Sequence, residues 1–185
     1  MRDEIKPWRV LNRRKLVESP WVTMYEEDCV NDRGVRISPF YLEERPDFAM
    51  IVAFDDEGRL LVEDQYRHGI KRVLTEIPAG MIESSEEADI AARRELLEET
   101  GYEASEWRFL FKLAVNANDS DRHAHIFMAT GLRKVGEQKL DATEHLVYRF
   151  MERSEWEPML RAGAFEQAFT TAALYRAMEI LDHRN

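Results

Sequence analysis

Three glutamates near the middle of the chain have the spacing of a metal-binding site. Glu95, Glu98 and Glu99 stand at i, i+3 and i+4 in the segment PAGMIESSEEADIAARRELLEETGY, so they occupy one arc of a helix. Like charges at this spacing repel by about 0.2–0.5 kcal/mol per pair. Clusters of carboxylate oxygens suit hard divalent ions such as Mg²⁺ and Mn²⁺. A solvated acidic face is the alternative, and spacing alone leaves both open.

The element that must position these acids is a helix between residues 84 and 101. Ser84 and Glu87 have the spacing of a capping box, which predicts where the helix begins. Gly101 suits the left-handed conformation that ends many helices. Between them, one face carries Ala88, Ala91, Ala92 and Leu96. Because small side chains permit close approach, we expect this face to pack on a sheet.

The remaining pattern predicts a mixed α/β protein. Residues 1–48 read as an antiparallel meander that serves as an edge or dimerisation element, since the strand-like runs WVTMYEEDCV and RISPFYLEE are joined by the turn-forming NDRG. In residues 49–185, FAMIVAF is apolar enough for a central strand. Further strands are expected at RLLVEDQYR, WRFLFKLAV, HAHIFMATGL and HLVYRFM. A second capping box at Ser154 and Glu157, a break at Gly163 and a final helix complete the prediction.

Composition narrows the class of partner. The net charge of −10 disfavours nucleic-acid binding through a basic face. A small phosphorylated ligand remains compatible, provided that local arginines or metal ions reverse the field. No stretch is apolar for the roughly 18 residues that a membrane helix needs, and the N-terminus lacks the apolar core of a signal peptide. We therefore expect a cytoplasmic protein with no membrane partner, and its single Cys29 is expected to be a small buried side chain.

The acidic segment also resembles the Nudix box, the signature of hydrolases that act on nucleoside diphosphates linked to another moiety. The matching fixed positions are Gly80, Glu86, Arg94, Glu95, Glu98, Glu99 and Gly101, and Tyr102 departs mildly from the usual aliphatic residue. The resemblance implies a Nudix fold, an α/β/α sandwich with a mixed central sheet, for residues 49–185. It also turns the metal-site interpretation of the three glutamates into the favoured one.

Beyond the box, residues 8–150 resemble the ADP-ribose pyrophosphatase branch of this family. LVEDQYRHGIKRVLTEIPAG is similar to the strand and loop that lead into the box in that branch. The resemblance implies metal-dependent hydrolysis of the pyrophosphate bond of nucleoside diphosphate sugars, first ADP-ribose to AMP and ribose 5-phosphate. Ala117 stands where the branch usually has proline, which keeps GDP-mannose or another sugar nucleotide as an alternative. A non-catalytic ligand-sensing domain is the other alternative. Exchange of N-terminal strands in relatives implies a homodimer.

The resemblance also assigns roles to particular residues. Mg²⁺, with Mn²⁺ possible, would be held by Glu95, Glu99 and the carbonyl of Ala79, and Glu98 would hold the ion or position the attacking water. Glu144 matches a glutamate that approaches the metals in relatives and is the candidate general base, with Asp141 as runner-up. An exposed loop acid is an equally good interpretation of Glu144.

Substrate contacts are expected outside the metal ligands. Arg67 is the first candidate for a phosphate contact, because a guanidinium can bind two oxygens at once, although a surface salt bridge is the alternative. Arg122 is a weaker candidate. Gly80 is expected to let the backbone bend tightly beside the site.

Two further expectations concern neighbours of the site. Arg94 is expected to pair with an acid such as Glu76 or Glu86 rather than touch substrate. The aromatic candidates for stacking on a base are Phe48, Trp21 and Phe40, although such residues more often belong to a core or a dimer interface.

Overall fold

The computed structural model describes residues 4–183 and shows two compact units. The first contains the chain up to Pro46 together with Ala114–His123, and the second contains Asp47–Leu113 and the chain from Ala124 onward. The return of residues 114–123 to the first unit was not foreseen from the sequence. The division into independent domains at residue 48 stays a prediction.

The first unit is built on an antiparallel meander of β1 (Arg9–Glu18), β2 (Thr23–Val30) and β3 (Arg36–Glu44), in that order. The reversal at NDRG forms because the Asn31 side chain accepts hydrogen bonds from the amides of Arg33 and Val35, while Gly34 takes a φ of 77°. Cys29 is buried on β2, as expected. The predicted N-terminal meander is therefore confirmed.

The second unit contains seven strands and three helices among the described residues. In chain order they are β4 (Phe48–Ala53), β5 (Leu60–Arg67), β6 (Arg72–Glu76), β7 (Ala79–Met81), α1 (Ala88–Thr100), β8 (Tyr102–Ala114), β9 (His123–Lys134), β10 (Leu146–Met151), α2 (Arg153–Arg161) and α3 (Ala168–Asp182). One sheet has the order β7-β4-β9-β8, and the other has the order β10-β5-β6.

The first of these sheets is mixed, because β4 is antiparallel to β7 and parallel to β9. Every residue of β4 is buried, which is the environment that its unbroken apolar sequence predicts. The alanine face of α1 packs on this sheet: Ala91, Ala92 and Leu96 share a core with Ala49, Ile51, Ala53, Leu61, Phe127 and Ala129. The mixed α/β fold expected from the sequence is confirmed.

The helix starts differ from the prediction. α1 begins after Glu87, whose side chain makes no capping hydrogen bond, and Ser85 has a positive φ of 70°. Glu86 instead accepts a hydrogen bond from the amide of Glu83, which closes a turn before the helix. The capping box at Ser84 and Glu87 was therefore wrong, since the chain reverses there before it becomes helical.

The second capping box was also wrong. α2 begins after Glu152, whose side chain makes no capping bond, so Ser154 lies inside the helix. Glu157 is paired with Arg153 at 2.8 Å and with Arg161 at 2.7 Å. The C-terminal signals were correct. Gly101 has a φ of 71° and its amide donates to the Leu97 carbonyl at 2.8 Å, and Gly163 follows α2 with a φ of 72°.

Within residues 4–183, no helix is both long and apolar enough to cross a membrane.

Candidate active site

The carboxylate arc of α1 is divided between core and solvent. Glu95 and Glu99 are only 8% and 4% exposed, because they flank Leu96 on the face that packs inward. The Glu98 side chain remains 43% exposed at the edge of that face. The three acids therefore share one side of the helix, as predicted, but two of them are buried.

Strand β7 contacts both buried acids. The amide of Ala79 donates a hydrogen bond of 3.0 Å to Oε2 of Glu99. At Gly80, an added Cβ would lie 1.9 Å from Cδ of Glu95 and 2.0 to 2.2 Å from its carboxylate oxygens. The prediction that Gly80 bends a loop was wrong, because it lies inside a strand and pairs with Ala49. Its missing side chain instead makes room for the Glu95 carboxylate.

Arg94 joins the acids of the segment. Its guanidinium binds Glu86 twice, at 2.9 and 2.8 Å, and contacts Glu95 at 2.8 Å and Glu98 at 3.1 Å. Nη2 also donates to the carbonyl of Met81. The hydrogen bonds to Arg94 lower the pKa of Glu86. Of the two expected partners, Arg94 has Glu86 and not Glu76.

Burial changes the protonation of the inward acids. It raises the pKa of Glu95, against the opposing effect of Arg94. Burial likewise raises the pKa of Glu99 well above its usual range, and the charges of Glu63 and Glu95 raise it further. Without a nearby cation, these carboxylates therefore hold protons more tightly than exposed ones do.

The donor set fits a hard divalent ion, although the side chains do not enclose one as they stand. Carboxylate and main-chain oxygens are the ligands that such ions take, and Gly80 leaves the space for Glu95. Among residues 4–183, no three His, Cys, Asp or Glu side chains converge closely enough to hold an ion. Glu95 and Glu98 are both turned toward Arg94, which accounts for this arrangement.

Sequence reasoning missed Glu63, a buried glutamate on β5. It is 3% exposed, and burial raises its pKa to about 8 against the opposing charge of Arg67, while the charges of Glu76, Glu144 and Glu95 add to the rise. The signal lay in the strand period: alternate residues share a face, so Glu63 lies on the same side of β5 as Leu61. Leu61 packs in the core that contains Leu96 of α1. A glutamate two residues from a core leucine therefore faces the helix.

Arg67 is engaged with another acid of the same sheet. Its Nε and Nη2 bind the two carboxylate oxygens of Glu76 at 3.0 and 2.8 Å. Glu76 is almost completely buried and lies opposite Glu63 in the β5–β6 ladder. The structure therefore has the salt-bridge alternative, with a buried partner, and the phosphate contact of Arg67 stays a prediction.

The candidate general base lies in the loop before β10. Glu144 is exposed, and its carboxylate accepts a hydrogen bond of 3.1 Å from the amide of Asp141. Its charge nevertheless helps to raise the pKa values of Glu63, Glu95 and Glu99. Glu144 is therefore electrostatically coupled to the buried acids, while its role as a base stays a prediction.

The other substrate candidates are not gathered around the carboxylates by any contact described. Phe48 is buried on β4 and packs edge-to-face on Phe169, with centroids 5.7 Å apart, so little of its ring is open to stack on a base. Arg122 belongs to the first unit, where Nε donates to the carbonyl of Pro46. In the same unit Phe40 packs on Trp8, whereas Trp21 is exposed.

One protein-family model covers most of the chain. Residues 44–173 match the model of the NUDIX domain. The chain therefore belongs to the Nudix family, as the sequence resemblance indicated, and the expectation of a Nudix hydrolase is confirmed.

Several relatives carry hydrolase names. An ADP-ribose pyrophosphatase of Mycobacterium tuberculosis is 44% identical over 87 residues, 46% of this chain and 42% of that protein. One of Bacillus subtilis is 29% identical over 78% of this chain and 77% of that protein. A CMP-5'-(N-acetyl-N-hydroxy-3-aminopropyl)phosphonate hydrolase of Streptomyces rubellomurinus is 30% identical over 84% and 75%. The match to the Mycobacterium protein thus spans less than half of that protein's length.

The crystal structure of an ADP compounds hydrolase superposes with a TM-score of 0.85. The alignment covers 99% of this chain and 98% of that chain at 24% sequence identity. At this identity the likeness supports the fold alone.

Proposed function

We propose that the protein is a metal-dependent pyrophosphohydrolase of nucleoside diphosphate sugars, with ADP-ribose the first candidate substrate. The observation that carries the proposal is the buried pair Glu95 and Glu99, set against the backbone of Ala79 and Gly80 within a matched Nudix domain. Burying two carboxylates is costly unless a cation compensates them. The products from ADP-ribose would be AMP and ribose 5-phosphate.

The residues divide the work as follows. Glu95, Glu98, Glu99 and the carbonyl of Ala79 would hold Mg²⁺, or Mn²⁺, which supplies charge neutralisation for the pyrophosphate and a water of lowered pKa. Arg94 positions two of these acids while it is anchored by Glu86. Glu144 is the proposed base that accepts a proton from the attacking water.

Substrate binding would use the arginines. In Arg67, Nη1 takes no part in the fork to Glu76, so it is the atom proposed to donate to a phosphate oxygen. Arg122 is proposed as a secondary contact. These assignments draw on the charge of the substrate and on the resemblance to sugar-nucleotide hydrolases.

The proposed substrate class is supported by relatives that are named for different substrates. Two are ADP-ribose pyrophosphatases, whereas the Streptomyces relative is a hydrolase named for a CMP-linked phosphonate. Ala117 at the position usually held by proline also favours keeping GDP-mannose and other sugar nucleotides as a second candidate. A non-catalytic sensor is disfavoured because every acid of the box is present.

A panel of sugar nucleotides tests the proposal. ADP-ribose, GDP-mannose and other nucleoside diphosphate sugars are incubated with the protein and Mg²⁺ or Mn²⁺, and release of the nucleoside monophosphate is measured. We expect turnover of at least one member, with ADP-ribose first. Metal binding without turnover of any member would overturn the enzyme proposal.

The matched variants are Glu98→Gln and Glu87→Gln. Both remove one charge from the same segment, but Glu87 is exposed and makes no capping bond. We expect Glu98→Gln to lower kcat by on the order of 100-fold or more while folding is unchanged, and Glu87→Gln to retain activity. A fully active Glu98→Gln variant would remove the metal-site assignment.

We also propose a cytoplasmic homodimer. β1 is exposed along its whole length and carries four apolar residues that are more than two-fifths exposed, namely Val10, Leu11, Leu16 and Val17. An exposed apolar strand of this kind is typical of an interaction surface.

A further inference from the structure

Glu63 is the buried acid that the proposed mechanism leaves without a role. Its Oε1 has no hydrogen-bond partner among the described residues, and its side chain is 3% exposed. A buried carboxylate oxygen without a partner is costly, and native structures rarely keep one without a reason.

Arg67 is the arginine whose charge acts on Glu63, and it is bound to another acid. Both Nε and Nη2 of Arg67 bind Glu76, the residue directly opposite Glu63 across the β5–β6 ladder. Arg94 binds Glu86, Glu95 and Glu98. Two adjacent buried glutamates on paired strands repel each other, and the fork of Arg67 neutralises only Glu76 directly.

Glu99 of α1 is likewise a buried acid without an arginine partner among the described residues. Among residues 4–183 its carboxylate forms no salt bridge, and it accepts a hydrogen bond from the amide of Ala79. The strongest charge that acts on Glu99 is that of Glu63. Glu63 lies on the face of β5 whose Leu61 shares a core with Leu96 of α1, the helix face on which Glu99 is also buried. Within residues 4–183, neither acid forms a salt bridge with an arginine.

We propose that Glu63 contributes a carboxylate to the divalent-cation site from β5, pairing with Glu99 around the ion. This inference rests on the proposed metal-dependent function and extends its ligand set beyond the Nudix box and Ala79. A cation between the two acids would neutralise both charges and would give Oε1 of Glu63 its partner. The strand would then fix one side of the site and the helix the other.

The test measures Mn²⁺ binding to the full chain without substrate, by electron paramagnetic resonance of free Mn²⁺ and by calorimetry. Wild type is compared with Glu63→Gln, which keeps the shape of the side chain and removes its charge. The control is Asp64→Asn on the same strand, where Asp64 accepts from Thr75 and lies within 3.5 Å of Arg149. Both variants replace one carboxyl group of β5 with an amide of the same shape.

We expect Glu63→Gln to weaken Mn²⁺ binding by about 10-fold or more and Asp64→Asn to leave it within about 2-fold of wild type. In EDTA, Glu63→Gln should unfold at or above the wild-type temperature, and Mn²⁺ should raise its Tm less than it raises that of wild type. Equal Mn²⁺ affinity in Glu63→Gln and wild type would overturn the inference.

Two further outcomes separate this inference from the proposed function. If wild type itself binds no Mn²⁺, the metal site fails and the inference fails with it. If wild type binds Mn²⁺ and Glu63→Gln binds it equally well, the inference alone fails. Glu63→Met is a second neutral variant, and a failure of both variants to fold would overturn the inference, because removing an uncompensated buried charge should not unfold the protein.

Discussion

At the scale of residues, the site is defined by acidic side chains that are buried away from water. Glu95 and Glu99 are buried one turn apart on α1, and Arg94 compensates Glu95 but forms no salt bridge with Glu99. The close contact between Glu95 and Gly80 shows how little space the carboxylate has. A single atom added at Gly80 should therefore disturb the site more than it disturbs the fold.

Gly80→Ala tests this point. Because the new Cβ would overlap the Glu95 carboxylate, that side chain must turn away, and we expect kcat/KM to fall at least about 10-fold with weaker metal binding. Gly136→Ala is the control, since a Cβ there meets nothing within 4 Å. Steady-state kinetics and Mn²⁺ titration provide the measurements. Wild-type kinetics in Gly80→Ala would contradict the assigned role of the contact.

At the scale of elements, the C-terminal end of α1 fixes where the acids lie. Gly101 ends the helix in a left-handed conformation, and a Cβ there would lie 2.2 Å from the carbonyl oxygen of Gly136. Gly163 has a similar φ but meets nothing within 4 Å. A comparison of alanine substitutions at the two glycines therefore separates the cost of the backbone conformation from the cost of a steric clash.

We predict that Gly163→Ala destabilises the protein by about 1–2 kcal/mol, the cost of a left-handed residue. Gly101→Ala should cost more, about 2–4 kcal/mol, because the clash with backbone adds to the conformational term. Urea denaturation gives both free energies of unfolding. Equal losses in the two variants would show that the contact with Gly136 relaxes without cost.

At the scale of the whole molecule, the acids of the candidate site come from segments far apart in sequence. Glu63 lies on β5 and Glu99 on α1, and the loop with Glu144 lies a further 45 positions along the chain. The net charge of −10 makes this accumulation of acids harder to tolerate without cations. The oligomeric state is also a property of the whole molecule, and substitutions on exposed β1 can test it.

We predict that wild type elutes with twice the mass of one chain in size-exclusion chromatography with light scattering. Leu11→Glu together with Leu16→Glu should shift the protein to the monomer, because charges on β1 oppose burial of its apolar side chains. Val35→Glu, at an exposed position next to the β2–β3 turn, is the control and should leave the mass unchanged. A wild-type monomer at micromolar concentration would contradict the dimer.

The sequence by itself determined those features that depend on neighbours along the chain. Helical spacing placed Glu95, Glu98 and Glu99 on one arc, Gly101 ended the helix, and the continuous apolar run made β4 a buried strand. The box spacing was sufficient to identify the family, because its fixed positions lie close together in sequence, from Gly80 in β7 to Gly101 at the end of α1.

Only the tertiary structure decided which acids are buried and which arginine each one meets. The predicted helix starts were wrong because a turn closed by Glu86 and the amide of Glu83 precedes α1, and because Glu157 pairs with the arginines one turn before and after it. Arg67 was committed to Glu76 by the pairing of β5 with β6, and Glu63 came to face the helix through the packing of that sheet. Burial and long-range pairing depend on how separate segments meet, so the period of a strand shows which residues share a face but not what that face packs against.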